Sequence, residues 1–200
     1  MTTIAIVYFS GYGHTSKLAD ALAEGVDAVT DASAKMYKIP EDGVIPEGWW
    51  DELGQADGIV YGSPTYMGMA AWQFKKFADE SSGPWYQGAW RDKVAGGFTT
   101  SASVNGDKHS TIAYFATLAA QHAQLWVGTG LKPRNTKDHG PDDVNWTAGF
   151  TGLLAISPAD ASPDEAPRAG DLESARIYGR RIAHVAAGVA SVKGNWPVEA

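Results

Sequence analysis

Within this chain of 200 residues, the turn Ser10-Gly11-Tyr12-Gly13-His14-Thr15 combines two glycines, two hydroxyls and a histidine, with no Lys or Arg among them. Gly11 and Gly13 permit backbone angles closed to other residues and let a ligand touch the main chain. A helix starting here would present unpaired amides and about half a positive charge to that ligand. Such a turn suits a phosphate dianion. The missing lysine excludes a Walker-type grip on a nucleotide. The dinucleotide fingerprint also fails, because its third glycine falls on Ser16. His14 reads either as a phosphate donor or as a helix cap, and an ordinary capped turn is the alternative for the loop as a whole.

Two later stretches offer the same kind of donors. Ser63-Pro64-Thr65-Tyr66-Met67-Gly68-Met69 and Thr99-Thr100-Ser101-Ala102-Ser103 are polar and follow apolar runs. Tyr12, Tyr66 and Trp85 add aromatic surface. A planar heterocycle joined to a phosphate by a polar chain would use all three loops. Flavin mononucleotide (FMN) is such a molecule, with its phosphate in the first loop and its ring between the other two.

The elements around these loops follow from periodicity. Ile4 to Phe9 is an unbroken apolar run, as in a strand covered on both faces. After Thr15 the pattern turns helical through Leu18, Leu22 and Val26. Ser33 to Ile39 reads as an edge strand, and Trp49, Trp50 and Leu53 as a short helix packing inward. A second buried strand covers Gly58 to Ser63 and stops at Pro64. A helix is expected over Ala70 to Glu80, then a loop from Ser81 to Asp92. A strand over Val94 to Thr99, a helix over 110–122 and a last strand from Leu125 complete the rhythm. Residues 131–170 hold five of the ten prolines and read as a long excursion. Asp171 is expected to cap a final helix running to about Val192. The alternation implies one α/β domain over 1–200: an open, doubly wound parallel sheet of about five strands with helices on both faces. In such sheets ligands sit beyond the carboxyl ends of the strands, where strand order reverses.

Composition narrows the function. The formal charge of −7, with no basic cluster, argues against nucleic acid. No apolar run is long enough to span a bilayer and no signal pattern opens the chain, so a cytoplasmic protein is expected. Cysteine is absent, which excludes disulfides, thiol redox chemistry and cysteine-ligated metals. His109, Asp138 and His139 are too scattered for a metal set, so none is expected. Redox work would therefore rest on an organic cofactor.

Ser10-Gly-Tyr-Gly-His-Thr15, Gly62-Ser-Pro-Thr-Tyr66 with Gly68-Met69, and Gly83-Pro-Trp85 resemble the flavodoxin-like family. Within it they resemble the WrbA-type NAD(P)H:quinone oxidoreductases and NADPH-dependent FMN reductases, over roughly residues 3–130 and again in the final helix. The resemblance implies that Ser10, Gly11, Tyr12, Gly13, His14 and Thr15 hold the FMN phosphate. Pro64, Thr65, Tyr66 and Met67 would line one ring edge, and Thr99, Thr100, Ser101, Ala102 and Ser103 the pyrimidine side. His122 would reach the flavin from a helix end. Tyr12 and Trp85 would border the substrate, Trp85 at a junction between subunits of a homo-oligomer (dimer or tetramer). The family commonly has several glycines in the third loop, whereas here only Gly106 follows Asn105, and Arg-Phe where Tyr66-Met67 stands.

The function so implied is electron transfer from NAD(P)H through FMN to a quinone or similar acceptor, with no catalytic side chain. Lys132, Arg134 and Lys137 read as a solvated loop, with an NADPH phosphate contact as the alternative. A single-electron carrier flavodoxin and a binding module with weak or no flavin stand as rival functions. A phosphoacceptor receiver would need acids where Ser10 and Ser63 stand, and a hydrolase would need a Gly-x-Ser-x-Gly elbow that the chain lacks.

Overall fold

Ile4, Ile6 and Tyr8 face one side of the first strand, β1 (Thr2–Tyr8), and Ala5 and Val7, with Phe9 beyond its end, face the other. Both sets are buried, so the strand needs helical cover on each face. The computed structural model describes residues 1–192 and supplies that cover; residues 193–200 of the expected domain lie outside the described residues.

In chain order the elements are β1, α1 (His14–Asp27), β2 (Ala32–Lys38), α2 (Trp49–Gln55), β3 (Gly58–Tyr66), β4 (Met69–Ala70), α3 (Trp72–Glu80), α4 (Ser82–Tyr86), β5 (Val94–Ser101), α5 (Lys108–Gln121), β6 (Leu125–Trp126), β7 (Leu153–Ile156) and α6 (Ala169–Val192). The sheet runs β2-β1-β3-β5-β6 with every neighbour on that path parallel, while β4 pairs with β3 and β7 with β5. α1 and α6 pack on one face, around Leu18, Leu22, Tyr178 and Ile182. On the other face Leu53 of α2, Phe74 and Phe77 of α3, and Ile112 and Phe115 of α5 share a second core, where Trp50 stacks on Phe77 at 5.2 Å. β1 lies between β2 and β3, so strand order reverses beside it.

Several boundaries differ from expectation, each for a local reason. β3 does not stop at Pro64 but continues to Tyr66. Beyond Gly62 it has lost β1 as a neighbour, and Ser63 and Pro64 pair only with β5, so Pro64 sits on a local edge where a missing N–H is tolerated. Ala70 is strand rather than helix. Met67 (φ 48°) and Gly68 (φ 80°) form a two-residue turn that folds Met69 onto Tyr66 and Ala70 onto Thr65. The expected loop over 81–92 contains α4 and closes on Trp90, which is fully buried.

The outer neighbour of β5 is built from two pieces. Leu125 and Trp126 pair with Val94 and Ala95, and Leu153–Ile156 with Phe98–Ser101. The chain leaves the sheet after β6, and Thr129 N–H donates to Phe150 O at 3.0 Å where it returns. The expected last strand is thus interrupted, and β7 lies inside the excursion. Asp171 does not cap α6, which begins at Ala169. Its buried carboxylate instead accepts a 3.0 Å hydrogen bond from Ile156 N–H at the end of β7.

Candidate functional site

The turn after β1 enters α1 through Gly13, whose φ of 91° lies in the left-handed region. The first helical bond is Lys17 N–H to Gly13 O at 3.1 Å, and the amides of residues 11–15 before it have no acceptor among the described residues. No acid stands in the first helical turn to compete with an anion. Ser10 is buried, and its Oγ accepts from Ser16 N–H at 3.2 Å, drawing the turn tight.

The strand end of β3 is tied to its surroundings by hydroxyls. Thr65 Oγ1 is 2.8 Å from both Thr99 Oγ1 of β5 and Thr111 Oγ1 of α5. Ser63 Oγ accepts from Ala71 N–H at 2.9 Å, anchoring the β3–β4 hairpin. Tyr66 reaches back over the first loop: a Cβ on Gly11 would lie 2.7 Å from its hydroxyl, so a side chain there would push the phenol aside. Its ring meets Tyr12 edge-on at 6.4 Å. Burial raises the Tyr66 phenol above its ordinary pKa, so it stays a proton donor at neutral pH.

A fourth segment completes the enclosure, and it belongs to the excursion. Ser157, Pro158, Ala159, Ala161 and Pro163 follow β7 and face the first loop across the cleft. Thr100 Oγ1 and Ser157 Oγ are 2.9 Å apart. His14 Nε2 lies 2.9 Å from Ala161 O, and since a carbonyl only accepts, Nε2 carries the proton. His14 therefore ties the first loop to the excursion rather than capping α1. Lys17 and Asp164 add an exposed ion pair at 2.9 Å. Sequence reasoning missed 157–163; the one available signal was the apolar run Leu153-Leu154-Ala155-Ile156 before Ser157, which reads as a short strand.

These loops bound a cleft of about 570 Å³, within the range of cofactor pockets. Of the expected site residues, Gly11, Tyr12, His14, Thr15, Pro64, Thr65, Tyr66, Thr100, Ser101 and Ala102 line it. Ser10 and Thr99 are buried at its edge, and Gly13 is pressed by Pro163, whose Cγ would lie 2.7 Å from an added Cβ. Met67 and Ser103 stand outside the lining, Met67 fully exposed at the hairpin tip.

His122 and Trp85 are not brought to this cleft. Ala123 O accepts from Asp92 N–H, two residues before β5 begins, which places the end of α5 at the amino ends of the strands. Both residues line a separate depression of about 230 Å³ there. His122 is buried against Trp90 at 4.2 Å between ring centres. The Ser81 hydroxyl donates to Ala78 O, so His122 Nε2 donates to Ser81 Oγ at 2.9 Å and Nδ1 is left a bare acceptor. Burial pushes its pKa down to about 4. Within its own chain His122 thus packs against Ser81 and Trp90, away from the cleft. Lys132, Arg134 and Lys137 are exposed, as a solvated loop requires. Among the described residues no three His, Asp or Glu side chains are placed to hold a metal ion, and no helix is long and apolar enough to cross a membrane.

A family model described as NADPH-dependent FMN reductase matches residues 10–130. Flavodoxin FldP of Pseudomonas aeruginosa is 47% identical over 185 residues, covering 92% of this chain and 97% of that protein. An NAD(P)H dehydrogenase (quinone) of Geobacter sulfurreducens is 32% identical over 202 aligned positions, with 92% and 97% covered. Among solved structures, a WrbA-like flavodoxin from Agrobacterium tumefaciens superposes with a TM-score of 0.75 at 42% identity, covering 94% of this chain and 99% of the other. A flavodoxin from the domain Archaea, at 17% identity and a TM-score of 0.61 over 93% of this chain and 99% of its own, shares the fold.

Proposed function

Because this chain belongs to the NADPH-dependent FMN reductase family and has the flavodoxin-like fold, we propose that its cleft binds FMN and that the protein passes electrons from NAD(P)H to a quinone or similar acceptor. The observation that carries this reading is the meeting of three uncharged strand ends at one cleft beside the point where strand order reverses. The donor set fits FMN. The amides of the first loop suit its phosphate, and the walls made by Pro64, Thr65 and Tyr66 on one side and Thr100, Ser101 and Ala102 on the other suit a flat ring.

Bound FMN supplies hydride acceptance from nicotinamide and two-electron delivery to an acceptor. The chain's own residues bind, orient and shield. The α1 terminus holds the dianion by dipole and amide donors. The Thr65–Thr99–Thr111 hydroxyls lock β3 to β5 and α5, so the two walls keep a fixed spacing. Tyr12, 76% exposed, and Tyr66, 39% exposed, form an aromatic rim for a planar nicotinamide or quinone. Pro158 and Ala161 keep water from the phosphate end. In this reading Trp85 meets the acceptor only across a contact between copies of the chain.

The 47% identical relative bears the name flavodoxin, which favours a carrier without nicotinamide turnover as the second reading. Anaerobic spectroscopy separates the two. Purified protein mixed with FMN is expected to show a flavin spectrum that NADH or NADPH bleaches and an added quinone restores. A flavin band bleached by dithionite but not by either nicotinamide favours the carrier, and no uptake of FMN overturns both.

A further inference from the structure

The loop after β5 keeps its shape without a run of glycines. Residues 102–107 join β5 to α5, and the first residue of α5, Lys108, folds its side chain back beneath them. Only 1% of Lys108 is exposed. Its Nζ donates at 2.8 Å to Ser101 Oγ, Ser103 O and Val104 O. Each of the three ammonium protons thus has an acceptor, and no described carboxylate lies within ion-pair distance of it. Burial still pushes the lysine down to about 8, with Asp171 of α6 the acid whose field opposes this. Gly106 (φ 56°) and Asp107 (φ 51°) turn the chain round the ammonium, so closely that a Cβ on Gly106 would lie 2.1 Å from Ser101 Oγ.

The clamp sets the direction of the loop's peptides. In a planar trans peptide the N–H points opposite to the C=O. With the carbonyls of Ser103 and Val104 turned onto Nζ, the N–H groups of Val104 and Asn105 face away from it. Neither donates to an acceptor among the described residues. Ser101 and Ala102 of the same segment form a wall of the cleft.

We propose that Lys108 is a positioning residue for the cleft. It fixes residues 101–105 and so holds Ser101 and Ala102 in the cleft wall, against the electron-rich carbonyl edge of a planar heterocycle, and stands as a positive charge behind that edge. This rests on the FMN reading and deepens it, by naming the side on which the ring gathers negative charge when reduced. A buried cation acts through a weakly screening interior, so it favours the reduced ligand over the oxidised one.

The test uses full-length protein as wild type, K108M and K108R. Hydrogen exchange of the flavin-free protein is expected to be faster at residues 101–105 in K108M and close to wild type in K108R. Titration with FMN, read by quenching of its fluorescence, is expected to show at least tenfold weaker binding to K108M. The flavin midpoint potential, measured against redox dyes, is expected to move negative in K108M and stay near wild type in K108R. Wild-type affinity and potential in K108M overturn the proposal, even if exchange at the loop rises. Should K108M lose its circular dichroism, K108Q carries the same measurements. A wild-type protein that takes up no FMN defeats the functional reading instead, while the exchange data still report on the clamp.

Discussion

At the scale of single residues the molecule buries ionisable groups where the loops around the cleft are anchored. Asp171 accepts Ile156 N–H and is pushed up to about 7, first by burial. Its native pKa exceeds its unfolded value, so between about pH 4 and pH 7 the folded state holds more protons, and stability from this group falls as pH rises. Lys108 has the opposite sense: its pKa is lowered to about 8, so stability from it rises between about pH 8 and 10. D171N keeps an acceptor for Ile156 without the charge. It is expected to match wild type near pH 3 and to be more stable near pH 8 by on the order of 4 kcal/mol, the difference opening between about pH 4 and pH 7. Urea unfolding at the two pH values measures this, and equal differences at both would show that the carboxyl carries no buried charge.

Between elements, the closest approach is made without side chains. α1 and α6 cross where a Cβ on Gly25 would lie 2.1 Å from Arg176 O and one on Gly179 would lie 2.1 Å from Leu22 O. Backbone is opposed to backbone there, so neither side can yield by rotating a side chain. G179A is expected to destabilise the protein by about 1–3 kcal/mol through overpacking. G25A should do the same, and the double variant should fall short of the sum because both act on one crossing. Denaturant midpoints give the three values. The crossing bears on the site, because α1 follows directly on the turn at 10–15 and α6 carries Asp171 in its first turn.

Taken whole, the fold gathers four chain segments far apart in sequence onto one end of the sheet. A ligand seated among them binds the native state only, so it should raise the unfolding temperature. At one hundred times its dissociation constant the gain is about 2.7 kcal/mol. For a domain of this size that corresponds to roughly 5–10 °C. FMN is expected to give such a shift. Riboflavin, which lacks the phosphate, is expected to give a clearly smaller one at equal concentration, since charge-assisted hydrogen bonds at the first loop contribute about 1.5–3 kcal/mol. Equal shifts for the two, measured by thermal denaturation, would show that the turn at 10–15 seats no phosphate.

Much of this was legible in the residues. The apolar run of β1 with both alternating faces buried, the helical stripe of α1 and the polar strand ends specify a doubly wound sheet and the end at which ligands bind, because period and burial are local properties of sequence. Pro64 misled, since its tolerance depends on β3 having already lost a neighbour. His122 and Trp85 lie away from the cleft of their own chain, and that distance follows from α3 and α5 running back along the sheet, which no spacing records. The contribution of 157–163 and the burial of Lys108 beneath its loop rest on contacts between segments remote in the chain. The sequence alone determined the principal strands and helices and what chemistry the first turn offers. Only the tertiary structure decided which distant side chains complete the cleft, because that depends on how an interrupted strand rejoins the sheet.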